Sequence, residues 1–363
     1  NQPLNTVSTA TIVGGNSTTG YNWTTNDTLL DGRNYHLAPN QSGLSLVIRG
    51  NTGTGRGPIA GVQIENAYTG TLRYWDINGA TAGAGGASPS GVWDGSTANW
   101  NNFAGDGAGS TWTGSNEAAV FAAGTGATGT YTVTVDGTQT TDAVILEEGN
   151  LTLTGGTINL VNARVIRSFT AGNTLTIGSN VTSTGAVSFD GVGSHVLNGI
   201  ASHTGATNIS SAFTLGATGG ISQTASVNIN TGVTAIVDGT LTSLGPINLN
   251  GASLLGEGTI SAVGNVNLAN LGSGNNLTLA GNGSLTATGT IALNRGSVTL
   301  NGNANVTADG FNNPTANIDS SLSVNDSAQL NIASRMVLGD QTNATITVNQ
   351  SGGSVTNTGT INN

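Results

Sequence analysis

Along most of this chain apolar and polar residues alternate one by one in short runs. YTVTVDG (131–137), NLTLTGGTINL (150–160), NTLTIGSN (173–180), ASVNINTG (225–232) and PINLNG (246–251) all follow the pattern. A period of two marks a strand with one buried face, because successive side chains point to opposite sides. Gly, Asn and Asp bound each run, as tight turns require. No segment shows a 3.6-residue period, which excludes an α-solenoid.

The runs recur at near-constant spacing. LTLAGNGSLTA (277–287) returns as VTLNGNANVTA (298–308), 21 residues on. VTLN (298–301) returns as LSVN (322–325) and ITVN (346–349), in steps of 24. A second short strand begins about eight residues into each unit, at Leu285, Val306, Leu330 and Val355. Repeats of this length built from short strands predict a solenoid, in which one coil cannot bury its apolar face without the next. The expected fold is all-β: a parallel β-helix (β-solenoid) over 131–363, with a Trp-rich cap over 91–130 and a further β segment over 1–90. Roughly ten to twelve coils, stacked about 4.8 Å apart, would reach about 50 Å.

The boundary near 90 rests on GATAGAGGASPSG (79–91), which reads as a linker or long turn. LSLVIRG (44–50), VQIENAY (62–68) and TLRYWDI (71–77) read as strands. Thr6, Val7, Thr9, Thr11, Ile12 and Val13 form a β-prone arm without an evident partner. At 24-residue spacing Asn301, Asn325 and Asn349 are expected above one another, either as a ladder of amides or as turn-closing residues.

Composition narrows the class. Charged residues are 7% of the chain, Gly is 57 of 363, and the formal charge is −10. Such an acidic chain is a poor nucleic-acid partner. The basic residues are all Arg, so cross-links through Lys are excluded. Absence of Cys excludes disulfides and thiolate metal sites. No apolar run approaches the ~20 residues of a membrane helix. The start at Asn1 carries neither an initiator Met nor a signal peptide, so a processed chain is expected. Sequons such as Asn16, Asn22, Asn150 and Asn276 are expected by chance in so Asn- and Thr-rich a sequence.

Aromatics are unevenly spread: every Trp and Tyr lies between Tyr21 and Tyr131. Trp93, Trp100, Trp112 and Phe121 are expected to cover the exposed apolar end of the solenoid, large area from few residues. The competing expectation is a sugar-stacking platform.

The segment W93-DGSTANW100, TW112-TG, EAAVF121, TYTVTVDG137 and AVILEEGNLTLTGGTINL160 resembles the opening of autotransporter-associated β-strand repeat passengers of Gram-negative bacteria. GASLLGEGTISAVGNVNL (251–268) is similar to their coils. The resemblance covers about 90–363 and implies a β-helix exposed outside the cell or on its surface. The membrane barrel of such proteins does not follow the repeats here, so the expectation is a fragment, or a chain whose last coil something else covers.

Chemistry is sparse. A polysaccharide-degrading β-helix needs clustered carboxylates. Glu147 and Glu148 are adjacent, hence expected on opposite faces of a strand, with Asp136 and Asp142 as the other acids in reach. His195, His203 and Asp190 could supply a zinc site, against ordinary turn or surface histidines. No catalytic, cofactor or metal site is assigned. The expected function is a non-enzymatic subunit that polymerises head-to-tail through its solenoid ends, the arm adding as a strand. The alternatives are an adhesin stalk with a cell-surface or glycan ligand, and a polysaccharide-degrading enzyme.

Overall fold

A computed structural model describes residues 70–114, 116–269, 274–313, 319–338 and 346–362. The chain divides into two compact units, Asn1–Thr69 and Gly70–Asn363. The arm at 6–13 and the expected strands at 44–50 and 62–68 lie outside the described residues. All the described strands belong to the second unit.

The described residues contain strands and no helix. Each turn of chain lays down three short strands, and each strand pairs in parallel with its counterpart one turn later. The first ladder starts at Gly91–Trp93 and runs through Thr130–Val135, Asn150–Thr154 and Thr174–Ile177 to 346–350. The second runs from 138–141 through 157–160, Asn180–Ser183 and Ile200–His203 to 354–357. The third starts at Thr71–Trp75 and Glu117–Phe121 and runs through 143–146 and 165–168 to Thr360–Asn362. The result is a β-solenoid of about ten turns.

The alternation read from sequence is the alternation of this coil. Tyr131, Val133 and Val135 point inward while Thr130, Thr132 and Thr134 face out. Inward Leu, Ile and Val at every level make one continuous core. The turns take Gly where backbones pass closely. Gly296 adopts φ +123°, and a Cβ there would collide with the Asn275 carbonyl of the coil below. The step is less regular than the repeats suggest: 18 residues separate Leu197 from its partner Leu215, and 26 separate Leu322 from Val348. Corners absorb most of the difference, and a bulge between Ile221 and Thr224 shifts the register within one strand.

The unit starts earlier than the expected boundary near 90. Thr71–Trp75 pairs with Glu117–Phe121 and, antiparallel, with Trp100–Asn101. Residues 79–90 are therefore a loop within the solenoid's first turn.

Candidate functional site

The first turn holds the aromatic cluster. Trp93 stands beside Val135 at the head of the first ladder, and Phe121, on the second strand of the third ladder, stands beside Leu146. Trp100 lies 5.4 Å from Trp93, 4.5 Å from Trp112 and 5.5 Å from Phe121, between ring centroids. Trp75 joins at 5.3 Å from Trp100. All five rings are buried, so none offers a face to a sugar. The four expected residues meet over the end of the core, and Trp75 is a fifth member that the placement of 71–77 in another segment concealed. Trp75 Nε1 donates to the Pro89 carbonyl at 2.7 Å and Trp112 Nε1 to that of Thr140 at 2.9 Å. The N–H groups of Trp93 and Trp100 meet no acceptor, so apolar burial holds those two rings.

A polar frame fixes the loops around the rings. Arg73 Nε donates to Glu117 Oε1 at 2.8 Å, and Glu117 Oε2 accepts from the amides of Thr113 and Gly114. Burial pushes the Glu117 carboxyl up, but the guanidinium and these amides outweigh it and leave it below the usual range. Buried Asn101 donates to Asp76 Oδ2 at 2.7 Å and to the carbonyls of Gly79 and Gly107.

The acids considered for catalysis do not converge. Asp136, Asp142 and the Glu147–Glu148 pair occupy three different corners of one triangular coil, between and after its strands 130–135, 138–141 and 143–146. Glu147 and Glu148 lie in a turn, not within a strand. Burial, with the Glu148 charge beside it, pushes Glu147 up to about 7. Glu148 Oε2 accepts from the Ala127 amide, and Tyr131 donates to the Glu148 carbonyl. Asp142 accepts from Asn162 Nδ2 at 2.8 Å.

The histidines are interior groups. His195 and His203 both point into the core of the same coil. His195 Nδ1 lies 2.8 Å from Ser211 Oγ. Thr207 Oγ1 donates to Thr224 Oγ1, which in turn donates to the carbonyls of Gly205 and Ser226. Thr207 must then accept from His203 Nε2, 2.8 Å away, which fixes that proton on Nε2. Burial pushes His195 down to about 3 and His203 to about 4. Asp190 is engaged elsewhere, gripped by Arg167 through two bonds of 2.6 and 2.7 Å. Among the described residues no three His, Asp or Glu side chains gather as a metal site would require.

Amides do stack along the solenoid. Asn325 Nδ2 donates to Asn301 Oδ1 at 2.8 Å. The next rung is not Asn349: the 26-residue coil pairs Asn349 with Ser323, and Ser351 Oγ donates to Asn325 Oδ1 at 2.7 Å. A longer ladder, unassigned from sequence, runs up the third ladder's outer side. Asn228 donates to Asn208, Asn248 to Asn228 and Asn267 to Asn248, at 2.9, 2.8 and 2.8 Å. Its signal was the recurring x-N-x triplet in TNI, VNI, INL and VNL. No protein family, curated protein or solved structure matches the chain.

Proposed function

We propose that this chain is a non-enzymatic extracellular structural subunit that assembles head-to-tail into a surface filament or matrix. The observation that supports this reading is the difference between the two ends of the solenoid. Buried aromatic rings close the first turn. Among the described residues, Ile346–Asn357 and Thr360–Asn362 pair on one side only and turn Val348 and Ile361 to solvent. Such strands offer open hydrogen-bonding edges, the usual template for an added strand. The proposed occupant is the arm at 6–13 of another copy, a contact that does not close on itself and so grows a fibre.

Electron microscopy at several concentrations tests this. Ordered filaments that vanish when residues 1–13 are deleted are expected. Unchanged filaments would remove the arm from the proposal. Isolated particles at every concentration would overturn self-assembly in favour of the second reading, a passenger-like stalk in which further coils occupy the same edges. That reading is in keeping with the resemblance of 90–363 to autotransporter passengers. The separation of Asp136, Asp142 and Glu147–Glu148 onto three corners disfavours a polysaccharide-degrading enzyme. Release of reducing or unsaturated ends from acidic polysaccharides would restore it.

A further inference from the structure

Like the second ladder, the first carries no charge on its outer side. From Thr130–Val135 to 346–350, no strand of this ladder contains Asp, Glu, Lys or Arg. The exposed charges stand elsewhere, Asp238 and Glu257 at a corner and Arg335 on the third ladder, where Arg167 and Asp190 form a buried pair. An ordinary soluble surface is roughly a quarter to a third charged.

The same face has an apolar centre. Register places Val196, Thr214, Ile236 and Leu255 side by side on four successive coils, all outward and half-buried. Thr176 and Thr278 continue the row on either side. Aliphatic residues in the middle and hydroxyls towards both ends reproduce the core and rim of a protein interface. The face carries no outward aromatic ring, so a sugar platform is disfavoured.

We propose that this face docks side by side on the same face of a second copy, with Val196, Ile236 and Leu255 at the centre of the contact. Three arguments select that partner. Two bodies of net charge −10 repel, and an uncharged face lets them approach. Hydroxyls both donate and accept, so rows of Thr and Ser can pair with themselves across a twofold axis. The area also suffices. Ten coil steps of about 4.8 Å and a width of about 13–17 Å give on the order of 600–800 Å² per copy, close to the ~800 Å² per partner of a stable interface.

Sedimentation velocity of the full chain, from about 1 to 100 μM, tests the proposal. A reversible dimer is expected once deletion of residues 1–13 blocks head-to-tail growth, and laterally paired filaments where growth proceeds. Leu255→Arg and Ile236→Arg should each weaken it at least about tenfold, as central contacts do. Ser222→Arg, on the outward side of the second ladder, should leave it unchanged. Circular dichroism reports whether each variant keeps its fold, and Leu255→Thr, which preserves strand preference, serves if the arginine variant does not. A monomer at every concentration overturns the proposal, as does a dimer indifferent to Leu255→Arg. If only removal of 1–69 releases a dimer, those residues cover the face in the full chain and the proposal also fails. Head-to-tail growth is independent: deleting residues 1–13 should abolish filaments and leave the lateral dimer intact.

Discussion

The first turn and the coils above it solve the same problem by opposite means. Both must keep an apolar interior from water. Each later coil is covered by the next, so Leu, Ile and Val of modest size suffice, held by rungs that repeat. The first turn has no coil beneath it among the described residues. It uses five large rings instead, framed by contacts that occur once, such as Arg73–Glu117 and Asn101–Asp76. An end cannot borrow its cover from a neighbour, so aromatics gather at 75–121 and are sparse afterwards.

The largest expected effect comes from breaking that cover. Trp100→Ala should cost about 3–5 kcal/mol, at the upper end for buried aromatics, because the ring touches four others. Leu277→Ala, within the repeat, should cost about 2–5 kcal/mol. The sharper difference is spatial. Coupling in a solenoid runs through nearest neighbours. Hydrogen exchange should therefore rise near 91–135 for Trp100→Ala, and around 254–300 for Leu277→Ala. Equal loss of protection along the whole unit in either variant would show that first turn and coils unfold as one.

Acid should separate the regions further. His195 and His203 have folded values near 3 and 4, well below the ~6.5 of an unfolded chain. The unfolded state then takes up the protons first, so their contribution is complete above about pH 6.5 and is lost as pH falls, by up to about 1.4 kcal/mol per unit for each histidine. Glu147 has the opposite sign. Its folded value near 7 exceeds the unfolded one, so protonation between about pH 7 and 4.5 favours its coil. Between pH 7 and 5, exchange should quicken at 194–209 and slow at 143–150. A His195→Leu/His203→Leu variant should flatten the first trend, and persistence of that trend would locate the acid sensitivity in other groups.

The same contrast governs how much could be read from sequence. The coil was legible because stacking imposes a period of two within strands and of about twenty between them, as in YTVTV and NLTLT. The caps at Trp93, Trp100, Trp112 and Phe121 were legible as a cluster but not as a geometry. Trp75 was missed because its partners are distant in sequence and a glycine-rich loop intervenes. Asn349 was misplaced for a related reason. Sequence matching aligns LSVN with ITVN at 24 residues, whereas the ladder keeps its hydrogen bonds and lets the corner take up two more. The Arg167–Asp190 pair left no local trace at all.

That misplacement yields the smallest and most discriminating test. Asn228 holds a central rung, donating to Asn208 and accepting from Asn248. Asn228→Ala removes both bonds and leaves two half-buried neighbours short of a partner, which should cost about 1–2 kcal/mol. Asn349 is exposed on the outer side of the last described coil, across from Ser323. Asn349→Ala should change stability by no more than about 0.5 kcal/mol. Denaturant midpoints for the two variants decide between the register drawn from repeats and the register of the ladders. If Asn349→Ala costs as much as Asn228→Ala, the 24-residue alignment was correct and Asn349 stands above Asn325 after all.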